Sequence, residues 1–391
     1  MIDPGVWRVA SAHLIVDGFT NIYAPLLPLL IPRLGLSLRG AGALAMVFQL
    51  AASVSQLGFG RLADRWHPRR LLIGGPILTV VVLSFIGLAP SIAWLMTILV
   101  IGGLGAAAFH PPGAMFAHRF GGERRGLSMS VFVGGGMVGF GIAPMIIAPL
   151  AERYGPDATL WMMPPALAWL AYALRGLPDL PTHAAARVEG FGVLRPYARP
   201  LGLLFTIVVL RTVTALSFAT FVPVMLTRQG LSLQDSGLLV AGYLFASSVG
   251  GFLGGPMADR FGHRTVIAAS LALAAPLLVA APHLNGPLFA IVFAAGGFFL
   301  QSTLPVNVSF GQSIAPVSAA TVSSLMMGVA WGTGGIMVPV IGEFADRVGI
   351  ENTLSVIALT PLLAAALSMA LPKHPGPNPV PTVPVCPDDV I

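Results

Sequence analysis

Charge is what this sequence has least of. Asp, Glu, Lys and Arg together make up 9% of the 391 residues, whereas soluble globular domains carry about 25%. So few charges cannot clothe a water-exposed surface, which excludes a soluble enzyme and a disordered regulator. Cysteine is nearly absent. The single Cys386 makes no intramolecular disulfide and no cysteine-based metal site. Lysine is nearly absent too, since every basic residue except Lys373 is arginine. The net charge of +6 and the isoelectric point near 10.2 do not point to nucleic acid. The arginines fall in short segments between apolar runs and form no continuous stripe.

What is abundant is apolar. Hydrophobic residues make up 55% of the chain, and the mean hydropathy is +0.85. The solvent for most of this surface is lipid. A helix needs about 20 apolar residues to cross a bilayer. Twelve runs qualify: 8–32, 41–60, 71–89, 92–116, 127–150, 158–177, 201–226, 236–258, 265–281, 287–311, 319–344 and 352–371. Runs such as Leu71–Ala89 are continuously apolar and do not alternate, which excludes a transmembrane β-barrel. The first run contains Asp17 and Asn21, and no small-residue cleavage site follows it, so it reads as a true span and not a signal peptide.

Twelve spans place both termini on one side. Of the 21 basic residues, Arg33, Arg39, Arg153, Arg228 and Arg347 fall on the opposite side and Arg211 lies inside a span; the other fifteen share the side of the termini. Positive charge marks the cytoplasmic face. The expectation is a multi-pass inner-membrane protein with both termini in the cytoplasm.

The chain divides into a first six-span half (1–177), a polar cytoplasmic linker (178–200), a second half (201–371) and a proline-rich tail (372–391) expected to be disordered. The halves repeat one another. Gly35-Leu36-Ser37-Leu38 with Gly42 recurs 195 residues later as Gly230-Leu231-Ser232-Leu233 with Gly237. Pro28 maps to Pro223 and Asp64-Arg65 to Asp259-Arg260 at the same offset; Pro111 maps to Pro305 one residue short of it. Glu152-Arg153-Tyr154-Gly155 lies opposite Asp346-Arg347-Val348-Gly349. A near-constant offset over several places implies duplication. Parallel six-span repeats with a site between them at mid-membrane describe a secondary transporter. The predicted fold is therefore all-α: twelve transmembrane helices in two pseudo-symmetric halves.

Polar residues inside the spans are few and hence informative. His13, Asp17 and Asn21 recur every four residues along one face of span 1. His110 precedes Pro111-Pro112 in span 4. Span 7 carries Arg211, and span 10 carries Gln301 and Asn307 around Pro305. Arg211 stays protonated and needs an anion, either Asp17 or a substrate carboxylate or phosphonate. Asp17 is the only carboxylate well inside the membrane. It is the candidate proton carrier, with His110 as its companion. Taken alone, His13 is equally well read as a helix-interface residue. No metal-ligand cluster or nucleophile–base spacing is visible in the spans, so neither metal, cofactor nor enzymatic chemistry is expected. Gly134 to Gly141 contains Gly-x-Gly-x-x-Gly, but no strand precedes it, and close helix packing explains it better than a dinucleotide loop.

Gly58-Phe59-Gly60-Arg61-Leu62-Ala63-Asp64-Arg65-Trp66-His67-Pro68-Arg69-Arg70, between spans 2 and 3, resembles the signature loop of the major facilitator superfamily. Gly255 to Arg264 is its second copy, with Asp259 and Arg260 in the matching places. The resemblance implies that Gly58, Asp64, Arg65, Arg69, Asp259 and Arg260 belong to a cytoplasmic gate, and that spans 1, 4, 7 and 10 line the central cavity. That would make His13, Asp17, Asn21, His110, Arg211, Gln301 and Asn307 the substrate-facing set. The stretch from Gly134 to Pro144 in span 5 resembles the glycine-proline signature of drug–proton antiporters. A narrower resemblance is to the fosmidomycin resistance protein family of drug-efflux transporters. It rests on His13-x-x-x-Asp17 followed by Tyr23-Ala24-Pro25-Leu26-Leu27-Pro28, on Ala108-Phe109-His110-Pro111 and on Arg125-Gly126-Leu127-Ser128. Pro112 stands where that family carries an acidic residue. The resemblance implies proton-coupled export of a small anionic or amphipathic molecule by a monomer in the lipid bilayer. Two other readings stay open. One is an importer of a small organic anion or nutrient. The other is a membrane receptor or assembly factor that transports nothing.

Overall fold

The computed structural model describes residues 3–65, 68–121, 124–179, 191–315 and 319–372. It is helical, with no strand among the described residues. Among the described residues, eleven helices are long and apolar enough to cross a membrane. They are α1 (Pro4–Leu34), α2 (Leu38–Ala63), α3 (Pro68–Leu88), α4 (Ile92–Arg119), α5 (Leu127–Tyr154), α7 (Leu194–Arg228), α8 (Leu233–Phe261), α9 (His263–His283), α10 (Gly286–Ile314), α11 (Thr321–Val348) and α12 (Ile350–Ser368). The run expected at 158–177 is split. A 3₁₀ turn covers Pro156–Met162, and α6 spans Met163–Leu174. Pro164 and Pro165 are the cause: proline lacks an N–H but suits the first helical turn, so the α-helix starts there. The linker expected at 178–200 ends in a helical turn, Phe191–Tyr197, that runs straight into the seventh span. Residues 180–190 of that linker, and the tail beyond Pro372, lie outside the described residues.

Helices α1 to α6 form one half and α7 to α12 the other. In the first, α1 packs along α5 and α3 along α4; in the second, α8 and α9 pack on α10. The halves meet where α2 lies against α11 and α5 against α8. These two seams are equivalent under the repeat. Each depends on a glycine. A Cβ on Gly42 would come within 2.8 Å of the Pro339 backbone, and one on Gly237 within 2.9 Å of the Pro144 carbonyl. Any larger residue would part the helices.

The repeated Gly-Leu-Ser-Leu is a helix start. Gly35 and Gly230 turn the chain with φ of 60° and 94°. Ser37 and Ser232 then cap α2 and α8, accepting from Gly40 N at 3.1 Å and Asp235 N at 2.9 Å. A carboxylate from the other half completes each cap. Asp346 of α11 accepts from Leu38 N and Arg39 N, both at 3.0 Å. Glu152 of α5 accepts from Gln234 N at 2.6 Å. Negative charge at a helix N-terminus meets the positive end of the dipole. So the end of the bundle opposite the termini is closed by two related latches. Toward the other end, Gly58 and Gly255 have nothing within 4 Å of a Cβ position.

Both seam helices α2 and α11 contain a wide π-turn, Leu50–Val54 and Leu325–Val329. The two turns face each other across the seam.

Candidate functional site

Span α1 runs straight from Pro4 to Thr20 and then breaks at Asn21. The straight part places His13 and Asp17 one turn apart on a buried face, each 5% exposed. His13 Nε2 lies 3.1 Å from Asp17 Oδ2. From α4, His110 brings its Nε2 to 3.2 Å from Asp17 Oδ1. The three side chains thus share one carboxylate.

The other ring nitrogens settle the tautomers. His13 Nδ1 is 2.8 Å from the Phe132 carbonyl, and His110 Nδ1 is 2.6 Å from the Ala106 carbonyl. A carbonyl only accepts, so both Nδ1 atoms donate. A neutral ring then turns a bare Nε2 lone pair toward Asp17. If Asp17 is ionised and both rings are neutral, lone pairs face lone pairs. The cluster therefore calls for a cation, and a proton on one Nε2 supplies it. Phe132 also stacks on His13, with centroids 4.2 Å apart, and fixes the ring plane. Gly136 of α5 covers the cluster; a Cβ there would stand 2.6 Å from His13 Nε2.

The second polar group lies in the other half. Arg211 is fully buried on α7. Its Nη2 donates to Gln301 Oε1 and its Nε donates to the Leu300 carbonyl at 3.3 Å. The guanidinium sits over the Trp331 ring, 5.2 Å from the centroid. Arg211 Nη1, Trp331 Nε1 and both amide atoms of Asn307 are buried and bond to no described residue. A buried polar group left in this state costs about 1–3 kcal/mol.

The sequence expectation that Arg211 pairs with either Asp17 or a substrate anion is thereby narrowed. Asp17 lies between two histidines, and Arg211 is held by Gln301 and an aromatic face. Asn21 donates to the Phe140 carbonyl at 3.1 Å, fastening the break in α1 to α5. At the surface, Arg69 pairs with Asp179 at 2.7 Å, both partners exposed. Asp259 and Arg260 are exposed, with Arg260 over Phe261. The side chains of Asp64 and Arg65 lie outside the described part.

Sequence reading did not find Phe132, Gly136 or Trp331 as site residues, nor the three-membered character of the first cluster. A histidine and an aspartate four residues apart signalled one edge of it, and His110 was expected only as a companion of Asp17 in proton coupling. The third member is 93 residues away in the chain, and no local pattern joins them.

The Major Facilitator Superfamily profile matches residues 9–287 and 203–310. An uncharacterised MFS-type transporter of Bacillus subtilis, YfnC, is 30% identical over 93% of this chain and 92% of its own. The fosmidomycin resistance protein of Escherichia coli is 28% identical over 94% and 92%. In fold, the chain resembles an inward-facing, occupied bacterial homologue of the human lysosomal transporter Spinster. The TM-score is 0.77 at 15% identity, covering 94% of this chain and 96% of that one. Two helical halves joined by equivalent seams, and a profile match along most of the spans, lead to one conclusion: the chain belongs to the Major Facilitator Superfamily of membrane transporters, and is not an enzyme.

Proposed function

We propose that the protein exports a small organic molecule with an anionic end across the inner membrane, by alternating access, in exchange for protons. The observation that carries this reading is the pair of oppositely charged buried groups, one in each half. Asp17 between His13 and His110 is a cation-holding cluster. Arg211 beside Gln301 and Trp331 offers unspent donors to an anion. Protons load on the first and the substrate's anionic end on the second. The two then travel in opposite directions as the halves rock about the α2–α11 and α5–α8 seams.

Outward direction is supported by likeness to the fosmidomycin resistance protein. Both termini face the cytoplasm, from the distribution of arginine. The α2–α3 and α8–α9 junctions, with Gly58, Asp64, Arg65, Arg69, Asp259 and Arg260, close the cytoplasmic side. Asn21 and Asn307 complete the polar lining around the substrate, and one chain is the working unit.

The test is uptake into inverted membrane vesicles from a panel of carboxylates, phosphonates and neutral amphiphiles, with and without an imposed proton gradient. Gradient-dependent accumulation of anionic members agrees. Accumulation of neutral members alone removes Arg211 from the substrate site. Uptake that ignores the gradient removes the proton.

A further inference from the structure

The first cluster has the geometry of a metal site. Each of His13, Asp17 and His110 offers one ligand atom, and these atoms lie within 4.8 Å of one another. His13 Nε2 lies 3.1 Å from Asp17 Oδ2 and His110 Nε2 lies 3.2 Å from Asp17 Oδ1, so the two nitrogens flank the two oxygens of one carboxylate. A tetrahedral ion with bonds of about 2.0–2.1 Å holds its ligands roughly 3.3 Å apart. Both imidazoles are held as metal-binding imidazoles are held, by an Nδ1–H given to a backbone carbonyl. That arrangement leaves Nε2 free to ligate.

A second observation is independent of the spacing. His13 Nε2 is buried and makes no hydrogen bond, although it faces Asp17. Its ring cannot turn to find another partner, since Phe132 stacks on it and His110 meets it edge-on at 5.0 Å. An orphaned acceptor aimed at a carboxylate is an unused coordination direction. Two nitrogens and one oxygen suit zinc and its neighbours. Calcium takes six to eight oxygen ligands, and magnesium demands near-ideal octahedral oxygen coordination. Gly136 walls off the α5 side. The His110 side chain is 25% exposed and opens the cluster for entry and for a fourth ligand.

We propose that His13, Asp17 and His110 form a binding site for one divalent transition-metal ion of the zinc class, with its fourth position on the exposed side of His110. A bound ion would occupy the lone pairs that otherwise hold protons and would tie α1 to α4. Zinc would then stop proton-driven transport. This last consequence rests on the transport reading; the binding does not.

The experiment uses the full chain in detergent, purified on a tag without histidine and stripped with a chelator. Zinc is titrated at one fixed pH, with no substrate present. We expect one ion per chain in the wild type. His13→Ala and His110→Ala lose it. Asp17→Asn weakens it by at least about 10-fold, the scale set by loss of even an outer-shell partner. The triple variant His118→Ala, His263→Ala, His283→Ala, which removes imidazoles outside the cluster, keeps it. Cobalt in place of zinc on the wild type should give the intense visible absorption of a four-coordinate ion, and this holds whether or not any variant folds. Absence of stoichiometric binding to the wild type, its survival in His13→Ala and His110→Ala, or its loss in the triple variant overturns the proposal. Proton-driven transport in a protein that binds no zinc sinks this inference alone. Stoichiometric zinc binding in a protein that ignores the proton gradient sinks the transport reading alone.

Discussion

The two halves of this protein share a fold and differ in charge. At the repeat offset of 195, Asp17 of α1 falls against Thr212 of α7, next to Arg211. One position of the ancestral repeat thus carries a carboxylate, and its neighbour in the second copy carries a guanidinium. Their surroundings differ as well. Asp17 has a histidine Nε2 within 3.2 Å of each oxygen. Arg211 has one nitrogen without a partner, beside a Trp331 whose N–H is likewise unmatched. The first half is a charge cluster nearly complete in itself. The second is a set of donors short of an anion. Duplication supplied the scaffold twice, and divergence at a few buried positions left a carboxylate between two imidazoles in one copy and a guanidinium in the other.

The sharpest way to break that comparison is to neutralise the carboxylate. Asp17→Asn should abolish gradient-driven accumulation in proteoliposomes while leaving substrate exchange without a gradient measurable. Accumulation that persists would mean the first half does not hold the coupling cation. Next is the guanidinium. Removing one partner of a buried charge-assisted contact costs about 2–5 kcal/mol. Arg211→Ala should therefore weaken anionic-substrate binding by roughly 30-fold or more, read by calorimetry, with Arg211→Lys intermediate and a neutral analogue unaffected. Equal loss for neutral and anionic ligands would assign Arg211 to structure.

A smaller effect sharpens the comparison at the seams, where the halves behave alike. A hydrogen bond to a charged group contributes about 1.5–3 kcal/mol. Asp346→Asn should raise labelling of a cysteine introduced into the cavity from the end opposite the termini, shifting the population by roughly 10- to 150-fold. Glu152→Gln should act in the same direction but less, because Glu152 accepts from one backbone N–H and Asp346 from two. The reverse order would show that the number of backbone N–H groups held does not set the strength of each latch. Smallest of all is Arg69→Ala. Its pair with Asp179 is exposed, and such pairs contribute about 0–1 kcal/mol. Thermal stability in detergent should not change measurably, while transport slows if the loop gates.

Several features were legible before any coordinates. Scarce charge and long apolar runs imply spans, and a near-constant offset implies two halves. Gly35-Leu36-Ser37-Leu38 and its copy were visible as a repeat. Their purpose was not, because the carboxylates seated on those helix starts come from the opposite half, 308 residues away for Asp346 and Leu38. The sixth span was visible as an apolar run. Its late α-helical start follows from Pro164 and Pro165, residues whose effect is local and could have been read.

The sequence by itself determined the lipid setting, the duplicated helical architecture and one edge of the first cluster. Those depend on composition and on spacing within a single helix, where 3.6 residues per turn place His13 above Asp17. Only the tertiary structure decided that His110 shares that carboxylate and that Arg211 turns to Gln301 and Trp331 and not to Asp17. It also decided that each half latches the other's helix starts. Those are distances between helices, set by how glycines such as Gly42, Gly139 and Gly237 let backbones approach. Packing between segments far apart in the chain has no local pattern to betray it.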